Sequence, residues 1–389
     1  MSVQTATRTD HEWMDVALEL AAQGEALTSP NPMVGAVLVR EGEEVARAFH
    51  TYDGVKHAEA LALEAAGAAA RGATLYTNLE PCSHQGRTPP CAEAIVAGGI
   101  RRVVAALADP NPLVNGRGFE RLRAAGVEVV TGIREEEARR LNESFAGWVR
   151  TGRPYVTLKA GLTLDAKIAS NDEGAPSGAL AKEGHRWITC EESRAEGQRL
   201  RHRADAVLTG IGTVLADDPR FTDRTGRARR RPLVRVVLDA GLRLPLDSEL
   251  VRSAANDLLI FCGEDVWMGK REKLKERGVE VIELKEAAGR ISLRAVLKRL
   301  AERQITSVLV EAGARVNAAA IETGVVDKVW LFYAPKLLGA DAVPFLAGTS
   351  YESPVTSHGL SLLNYRLHRF GPDFAVEGYL RDVYGPLDT

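Results

Sequence analysis

Cysteine is scarce in this chain, with four in 389 residues, so no disulfide framework of the kind that staples small secreted folds is expected. A basic excess is also lacking: 50 Lys and Arg stand against 52 Asp and Glu, for a net charge of −2. Aromatic residues make up only 6%. Together these argue against a broad nucleic-acid or membrane surface, which needs clustered cations and stacking side chains. No run of about 18 apolar residues occurs, so no membrane span is expected. The opening segment, MSVQTATRTDHEW, has neither an apolar core nor a cleavage pattern, so no secretory signal is expected. The reading is a globular chain of the reducing cytoplasm.

What is present is organised as two halves. From about Trp13 to Gly147 helical and strand patterns alternate, with strands expected at Val34–Arg40, Thr74–Leu79, Arg102–Ala106 and Val127–Thr131. An amphipathic helix is expected over Glu135–Val149. Thr151-Gly152-Arg153-Pro154 punctuates the chain, and a second α/β series follows it. Its expected strands begin at Tyr155, Ala206, Val234, Leu258, Val279, Ser307 and Lys328. Domains of residues 1–150 and 151–389 follow, both with mostly parallel sheets. The polar stretch Asp172–Gly184 reads as a surface loop or insertion, and the basic run Arg227–Arg231 as a solvated loop, with contact to a phosphate as the lesser alternative.

The first half carries one dense cluster of chemistry. His57-Ala58-Glu59 is followed by Pro81-Cys82 and then Cys91. An imidazole and two thiols make a three-ligand zinc site whose fourth position is open to water, and zinc lowers the pKa of that water from ~15.7 towards ~7. Glu59, two residues past the histidine, is placed to shuttle a proton without being a ligand. His57 and Glu59 fall in the first turn of an alanine-rich helix, Cys82 follows a strand, and Pro89-Pro90-Cys91 opens another helix. His-x-Glu with Pro-Cys-x-x-Cys marks zinc deaminases; here eight residues, not two, separate the cysteines.

The second half shows no metal pattern. Two strand-to-helix turns are glycine-bearing, Thr209-Gly210-Ile211-Gly212-Thr213 and Glu311-Ala312-Gly313-Ala314. Glycine there lets backbone N–H groups approach a phosphate, and it also serves purely steric needs. Asp217-Asp218 invites either a sugar-hydroxyl contact or a helix cap.

Beyond the zinc pattern, the chain resembles the bifunctional riboflavin-biosynthesis deaminase/reductase family, the RibD family, over nearly its whole length. The matching stretches are Pro30-Asn31-Pro32-Met33-Val34-Gly35, His50 with Gly54, Glu80-Pro81-Cys82-Ser83-His84, Gly86-Arg87-Thr88-Pro89-Pro90-Cys91, and Asp109-Pro110-Asn111-Pro112. In the second half they are Lys159, Leu164 to Ala169, Trp187-Ile188-Thr189, Arg201, Asp217-Asp218-Pro219, Arg224 and Glu311-Ala312-Gly313. The resemblance implies an N-terminal cytidine-deaminase-like three-layer domain and a C-terminal dihydrofolate-reductase-like α/β domain. It implies zinc on His57, Cys82 and Cys91, with Glu59 catalytic. The implied sequence is deamination of 2,5-diamino-6-(5-phosphoribosylamino)pyrimidin-4(3H)-one, then NADPH-dependent reduction of its ribosyl chain.

Asn31 and His50 are candidates for holding the pyrimidine, although Asn31 also suits a turn between two prolines. His84 is either a partner orienting a thiolate or an exposed side chain. By the same resemblance NADPH would contact Gly161, Trp187, Thr213, Asp217 and the loop Gly313, Ala314, Arg315, Val316, Asn317, Ala318 and Ala319. Arg201, Arg224 and Glu311 would hold the substrate, the arginines suiting its phosphate. His185 departs from the family, which has a small residue there. The expected partner is a small phosphoribosyl pyrimidine, with no nucleic acid and no membrane, and a homo-oligomer is left open. The competing readings are a nucleic-acid base deaminase with an appended domain and an enzyme whose second half only binds.

Overall fold

The computed structural model describes residues 8–112, 114–170, 187–264, 266–285, 290–348 and 359–386. The expected insertion Asp172–Gly184 and His185 lie outside the described residues. Contacts divide the chain into a unit of Met1–Gly152 with Ala228–Arg230, and a unit of Arg153–Arg227 with Arg231–Thr389.

The first unit runs α1 (Asp10–Ala22), β1 (Gly35–Arg40), β2 (Glu43–Phe49), α2 (Ala58–Ala66), β3 (Thr74–Thr77), α3 (Cys91–Ala97), β4 (Arg102–Ala105), α4 (Arg117–Ala124), β5 (Glu128–Thr131), α5 (Glu135–Leu141) and α6 (Glu143–Thr151). Its sheet order is β2-β1-β3-β4-β5. β3, β4 and β5 are parallel, but β1 pairs antiparallel with both β2 and β3, which corrects the expectation of a mostly parallel sheet. β2 escaped the sequence reading because Glu43–Phe49 is a half-exposed edge strand with no apolar run. β1 is buried along five consecutive residues, as a strand covered on both faces must be. Helix α1 lies so close to β1 that a Cβ on Gly35 would meet the Ala17 carbonyl oxygen at 2.1 Å.

The expected single helix over Glu135–Val149 is two, broken at Asn142. The Asn142 side chain is occupied elsewhere: its Oδ1 accepts from Met33 N at 2.8 Å and its Nδ2 donates to Met33 O at 2.9 Å. Asn78 donates to the same carbonyl at 2.9 Å and accepts from Gly35 N at 2.9 Å. These two asparagines fix the segment that delivers Asn31.

The second unit comprises β6 (Tyr155–Thr163), β7 (Lys167–Ala169), α7 (Glu191–Arg203), β8 (Ala206–Gly210), α8 (Ile211–Asp217), β9 (Val234–Leu238), α9 (Glu249–Arg252), β10 (Leu258–Cys262), α10 (Met268–Lys275), β11 (Val279–Glu283), α11 (Leu293–Ala301), β12 (Ser307–Val310), α12 (Ala314–Glu322), β13 (Lys328–Ala334), β14 (Val343–Pro344), β15 (Leu363–Phe370) and β16 (Asp373–Tyr379). A nine-stranded sheet runs β11-β10-β9-β8-β12-β6-β13-β16-β15. The seven strands from β11 to β13 are parallel, and β16 and β15 close the edge antiparallel. That edge was not expected, because β15 is largely exposed and its sequence alternates too irregularly to stand out.

The basic run is not a solvated loop throughout. Arg231 pairs with Asp205 at 3.0 Å, and Arg230, counted with the first unit, stacks on Tyr52 at 3.7 Å. Among the described residues no helix is long and apolar enough to cross a membrane.

Candidate active sites

In the first unit, three local features converge. His57 is the N-cap of α2, so its backbone is extended and its ring leaves the helix start. Glu59 follows within the first turn and is buried. Cys91 is the first residue of α3, after the Pro90 cap. Cys82 sits beyond β3, and its sulfur accepts the Cys91 backbone N–H at 3.3 Å. His57 Nδ1 lies 3.5 Å from Cys82 Sγ and 3.2 Å from Cys91 Sγ, and the three donor atoms lie within 4.8 Å of one another. Bond lengths of ~2.0–2.3 Å to one tetrahedral centre are compatible with that spacing.

The electrostatics fit a cation. A hydrogen bond from the Cys91 thiol, with help from His57 and the Cys91 N–H, lowers the Cys82 pKa, and the shared proton raises that of Cys91. A cation between them displaces that proton and leaves two thiolates. Burial raises the Glu59 pKa to about 7, and its Oε2 is buried with no hydrogen-bond partner. An orphaned carboxylate oxygen beside a His/Cys/Cys cluster is placed to accept a proton.

Asn31 and His50 are brought together. Asn31 Nδ2 stands 3.0 Å from His50 Nε2, and His50 Nδ1 stands 2.9 Å from the Lys56 carbonyl. A carbonyl has no proton to give, so Nδ1 carries the hydrogen and Nε2 accepts from Asn31. Burial lowers the His50 pKa, keeping the ring neutral. Its ring meets that of His57 edge-on at 5.5 Å between centroids. His84, by contrast, is exposed.

Sequence reasoning missed Glu80. Its buried carboxylate accepts the backbone N–H of Asp109 at 3.0 Å, Gly116 at 2.9 Å and Gly118 at 2.7 Å. This nest ties the Pro81-Cys82 corner to the start of α4. A Cβ on Gly118 would come within 2.0 Å of the Pro81 carbonyl oxygen, so only glycine fits there. Only the position of Glu80 next to Pro81-Cys82 signalled a structural task.

In the second unit the two glycine turns lie on adjacent strands, β8 and β12. Gly210 caps α8 and Gly313 caps α12. A Cβ on Gly313 would lie 3.4 Å from Thr213 Oγ1, and one on Gly210 would clash with Val316 at 2.8 Å. Asn317 is fully buried: its Nδ2 donates to the Phe345 carbonyl at 3.2 Å, while its Oδ1 has no hydrogen-bond partner. Thr209 Oγ1 is also buried and unpartnered. Asp217 closes α8. Gly161 lies on β6, where a Cβ would press on Thr189 at 3.3 Å. Trp187 is 54% exposed and stacks on Arg194 at 5.2 Å.

Glu311 and Arg201 engage each other. Arg201 Nε donates to Glu311 Oε1 at 2.6 Å and Nη2 to Oε2 at 3.0 Å, and Lys159 Nζ donates at 3.3 Å. Burial alone would push the Glu311 pKa up, but the two cations win and lower it to about 2. The fork of Arg201 is therefore committed to a carboxylate. Arg224 is exposed, with its backbone N–H held by Gln198 Oε1 at 3.0 Å. The neighbouring Asp223 is held by the buried His202 at 2.8 Å, so one face of α7 fixes the Arg224 loop.

Comparison with known proteins covers both units. The sequence profile of the cytidine and deoxycytidylate deaminase zinc-binding region matches residues 7–107, and that of the RibD C-terminal domain matches residues 154–375. Riboflavin biosynthesis protein RibD of Aquifex aeolicus is 43% identical over 330 residues, covering 85% of this chain and 88% of its own. That of Bacillus amyloliquefaciens is 39% identical over 371 residues, covering 95% and 96%. Among solved structures, Acinetobacter baumannii RibD superposes with a TM-score of 0.79 at 35% identity, covering 95% of this chain and 98% of that one. A diaminohydroxyphosphoribosylaminopyrimidine deaminase/5-amino-6-(5-phosphoribosylamino)uracil reductase of Thermotoga maritima does so with a TM-score of 0.77 at 34% identity, with the same coverage.

Proposed function

Because the chain belongs to the RibD family of bifunctional riboflavin-biosynthesis enzymes, we propose how its residues divide the two reactions. The first unit is a zinc-dependent deaminase and the second an NADPH-dependent reductase. The substrate of the first is 2,5-diamino-6-(5-phosphoribosylamino)pyrimidin-4(3H)-one, and the product of the second is 5-amino-6-(5-phosphoribitylamino)uracil. The observation that carries this reading is the meeting of His57, Cys82 and Cys91 beside the buried Glu59, whose Oε2 has no hydrogen-bond partner.

In the deaminase, His57, Cys82 and Cys91 hold zinc, which supplies Lewis acidity for activating water at neutral pH. Glu59 takes a proton from the attacking water and returns it to the departing amine, a task for which its buried, unpaired Oε2 beside the three ligands is placed. The Asn31 amide and the neutral His50 orient the pyrimidine; their mutual hydrogen bond presents the remaining Asn31 donor and acceptor in one fixed direction. Glu80 holds the Cys82 corner through backbone N–H groups and does not meet the substrate.

In the reductase, the Gly313–Ala319 turn and Thr213 would hold the cofactor pyrophosphate, with Gly161, Trp187 and Asp217 as further contacts. Bare glycine turns with orphaned polar atoms at Thr209 and Asn317 suit a polar ligand. NADPH supplies the hydride for the opened ribosyl chain. Glu311, held between Arg201 and Lys159, would accept from ribosyl hydroxyls, and Arg224 would anchor the 5′-phosphate because its guanidinium is exposed. That assignment moves the phosphate away from Arg201.

Incubation with the diaminopyrimidine substrate, with and without NADPH, followed by mass spectrometry, tests both halves. Amine-to-oxo exchange alone is expected without NADPH, and addition of two hydrogens only when NADPH is present. Absence of the first change, or the second occurring without cofactor, overturns the reading.

A further inference from the structure

The segment that carries Arg224 takes its shape from α7. Residues 219–227 belong to no helix or strand, so side chains must hold what a ladder does not. Gln198, Arg201 and His202 stand at i, i+3 and i+4 of α7 and share one helix face. From that face Gln198 Oε1 accepts the Arg224 N–H at 3.0 Å, and Arg201 Nη1 donates to the Thr222 carbonyl at 3.2 Å.

His202 supplies the third tie. Its side chain is 1% exposed, and its Nδ1 lies 2.8 Å from Asp223 Oδ2. An ionised carboxylate only accepts, so Nδ1 carries the hydrogen and donates it. The other oxygen, Asp223 Oδ1, accepts the Thr225 N–H at 3.0 Å and the Thr225 hydroxyl at 2.8 Å. A carboxylate only 8% exposed needs such donors, and His202 brings one from outside the loop. Asp223 is thereby turned inward, the backbone is held on both sides of the Arg224 Cα, and the Arg224 side chain is left exposed. Arg201 and His202 are consecutive: one grips Glu311, the other fixes the neighbour of Arg224. One turn of a helix thus sets the span between the acceptor of ribosyl hydroxyls and the phosphate anchor.

We propose that His202 is a positioning residue of the reductase: through Asp223 it holds Arg224 where the substrate's 5′-phosphate binds, and so makes turnover depend on that phosphate. The inference rests on the reading of Arg224 as the phosphate anchor.

Steady-state reduction by the whole protein, with NADPH and either the phosphorylated aminouracil or the same compound without its phosphate, tests this. His202→Leu has no donor. It is expected to raise KM for the phosphorylated compound by about 10-fold, the lower end of the loss of a charge-assisted hydrogen bond, with kcat nearly unchanged. The dephosphorylated compound, which gives Arg224 nothing to hold, should be reduced as by the native protein, and that equality shows the second unit intact. His202→Asn, whose Nδ2 can stand in for Nδ1, should recover much of the loss. Arg224→Gln should show the same phosphate-selective rise in KM, and the double variant no further rise. If His202→Leu does not fold, Asp223→Ala breaks the same tie from the loop side, with the same phosphate-selective effect expected. A variant at His202 or Asp223 that affects both compounds equally, or neither, while Arg224→Gln is phosphate-selective, overturns the proposal alone. An Arg224→Gln variant without phosphate selectivity removes the anchor reading, and the proposal with it.

Discussion

Each unit buries a glutamate in its candidate site, and the two are driven in opposite directions. Glu59 is pushed up to about 7 by burial, with one oxygen left unpaired. Glu311 is also buried, yet Arg201 and Lys159 hold it down at about 2. Burying a charge without a partner favours the neutral form, whereas a bidentate guanidinium reverses that sign. With no cation beside it, Glu59 is therefore held towards its neutral form. Glu311 is held ionised, and is suited to a fixed negative charge that accepts hydrogen bonds.

The widest separation of the two units should come from the metal. Cys82→Ser is expected to lose zinc and ammonia release entirely, while NADPH-linked reduction of the deaminated substrate persists. Metal analysis and the two assays, run side by side, check this; full zinc occupancy in the variant would show the ligand set to be wrong.

Next, Glu59→Gln should keep its zinc but lower ammonia release by about 10²–10⁴-fold, the usual contribution of a positioned acid–base group. Turnover close to native would remove Glu59 from the proton path. In chelated protein the same substitution isolates the burial effect. The folded-state pKa lies above the ordinary 4.5, so native stability falls as pH rises from 4.5 through about 7. Above that window Glu59→Gln is expected to be more stable than native by about 3 kcal/mol in urea unfolding, and the gap should close below pH 4.5.

Glu311→Gln has the opposite sign. A folded pKa lowered to about 2 contributes stability that is present above 4.5 and is lost as pH falls through that interval. The variant is expected to be less stable at pH 7, by up to about 3–5 kcal/mol, because Arg201 and Lys159 are left uncompensated. Unfolding at pH 7 and pH 3 reads the difference; a deficit that does not shrink on acidification refutes the account of the ion pair.

The two sites also differ in how legible they were in the sequence. The zinc site is built from elements that announce themselves locally: an alanine-rich helix after His57, prolines before Cys91, and a strand before Cys82. The candidate residues of the reductase are spread over β6, α7, β8, α8, β12 and α12, and only the sheet register brings Lys159 opposite Glu311. Family resemblance grouped Arg201 with Arg224, but their surroundings separate them: one is spent on Glu311, the other exposed. The antiparallel edges were missed for a related reason, since β2 and β15 are too exposed to show an apolar pattern. The break at Asn142 was invisible because its cause, hydrogen bonding to Met33, spans 109 residues.

Residue type and short-range spacing alone pointed to the His57, Cys82 and Cys91 cluster with Glu59 beside it, the two α/β halves and the glycine turns, since each depends on covalent neighbours or on helix and strand starts. Tertiary structure decided the strand directions, the opposite ionisation of Glu59 and Glu311, and which arginine is committed. Those depend on desolvation and on pairing between residues distant in the chain, and neither quantity exists until the chain has packed.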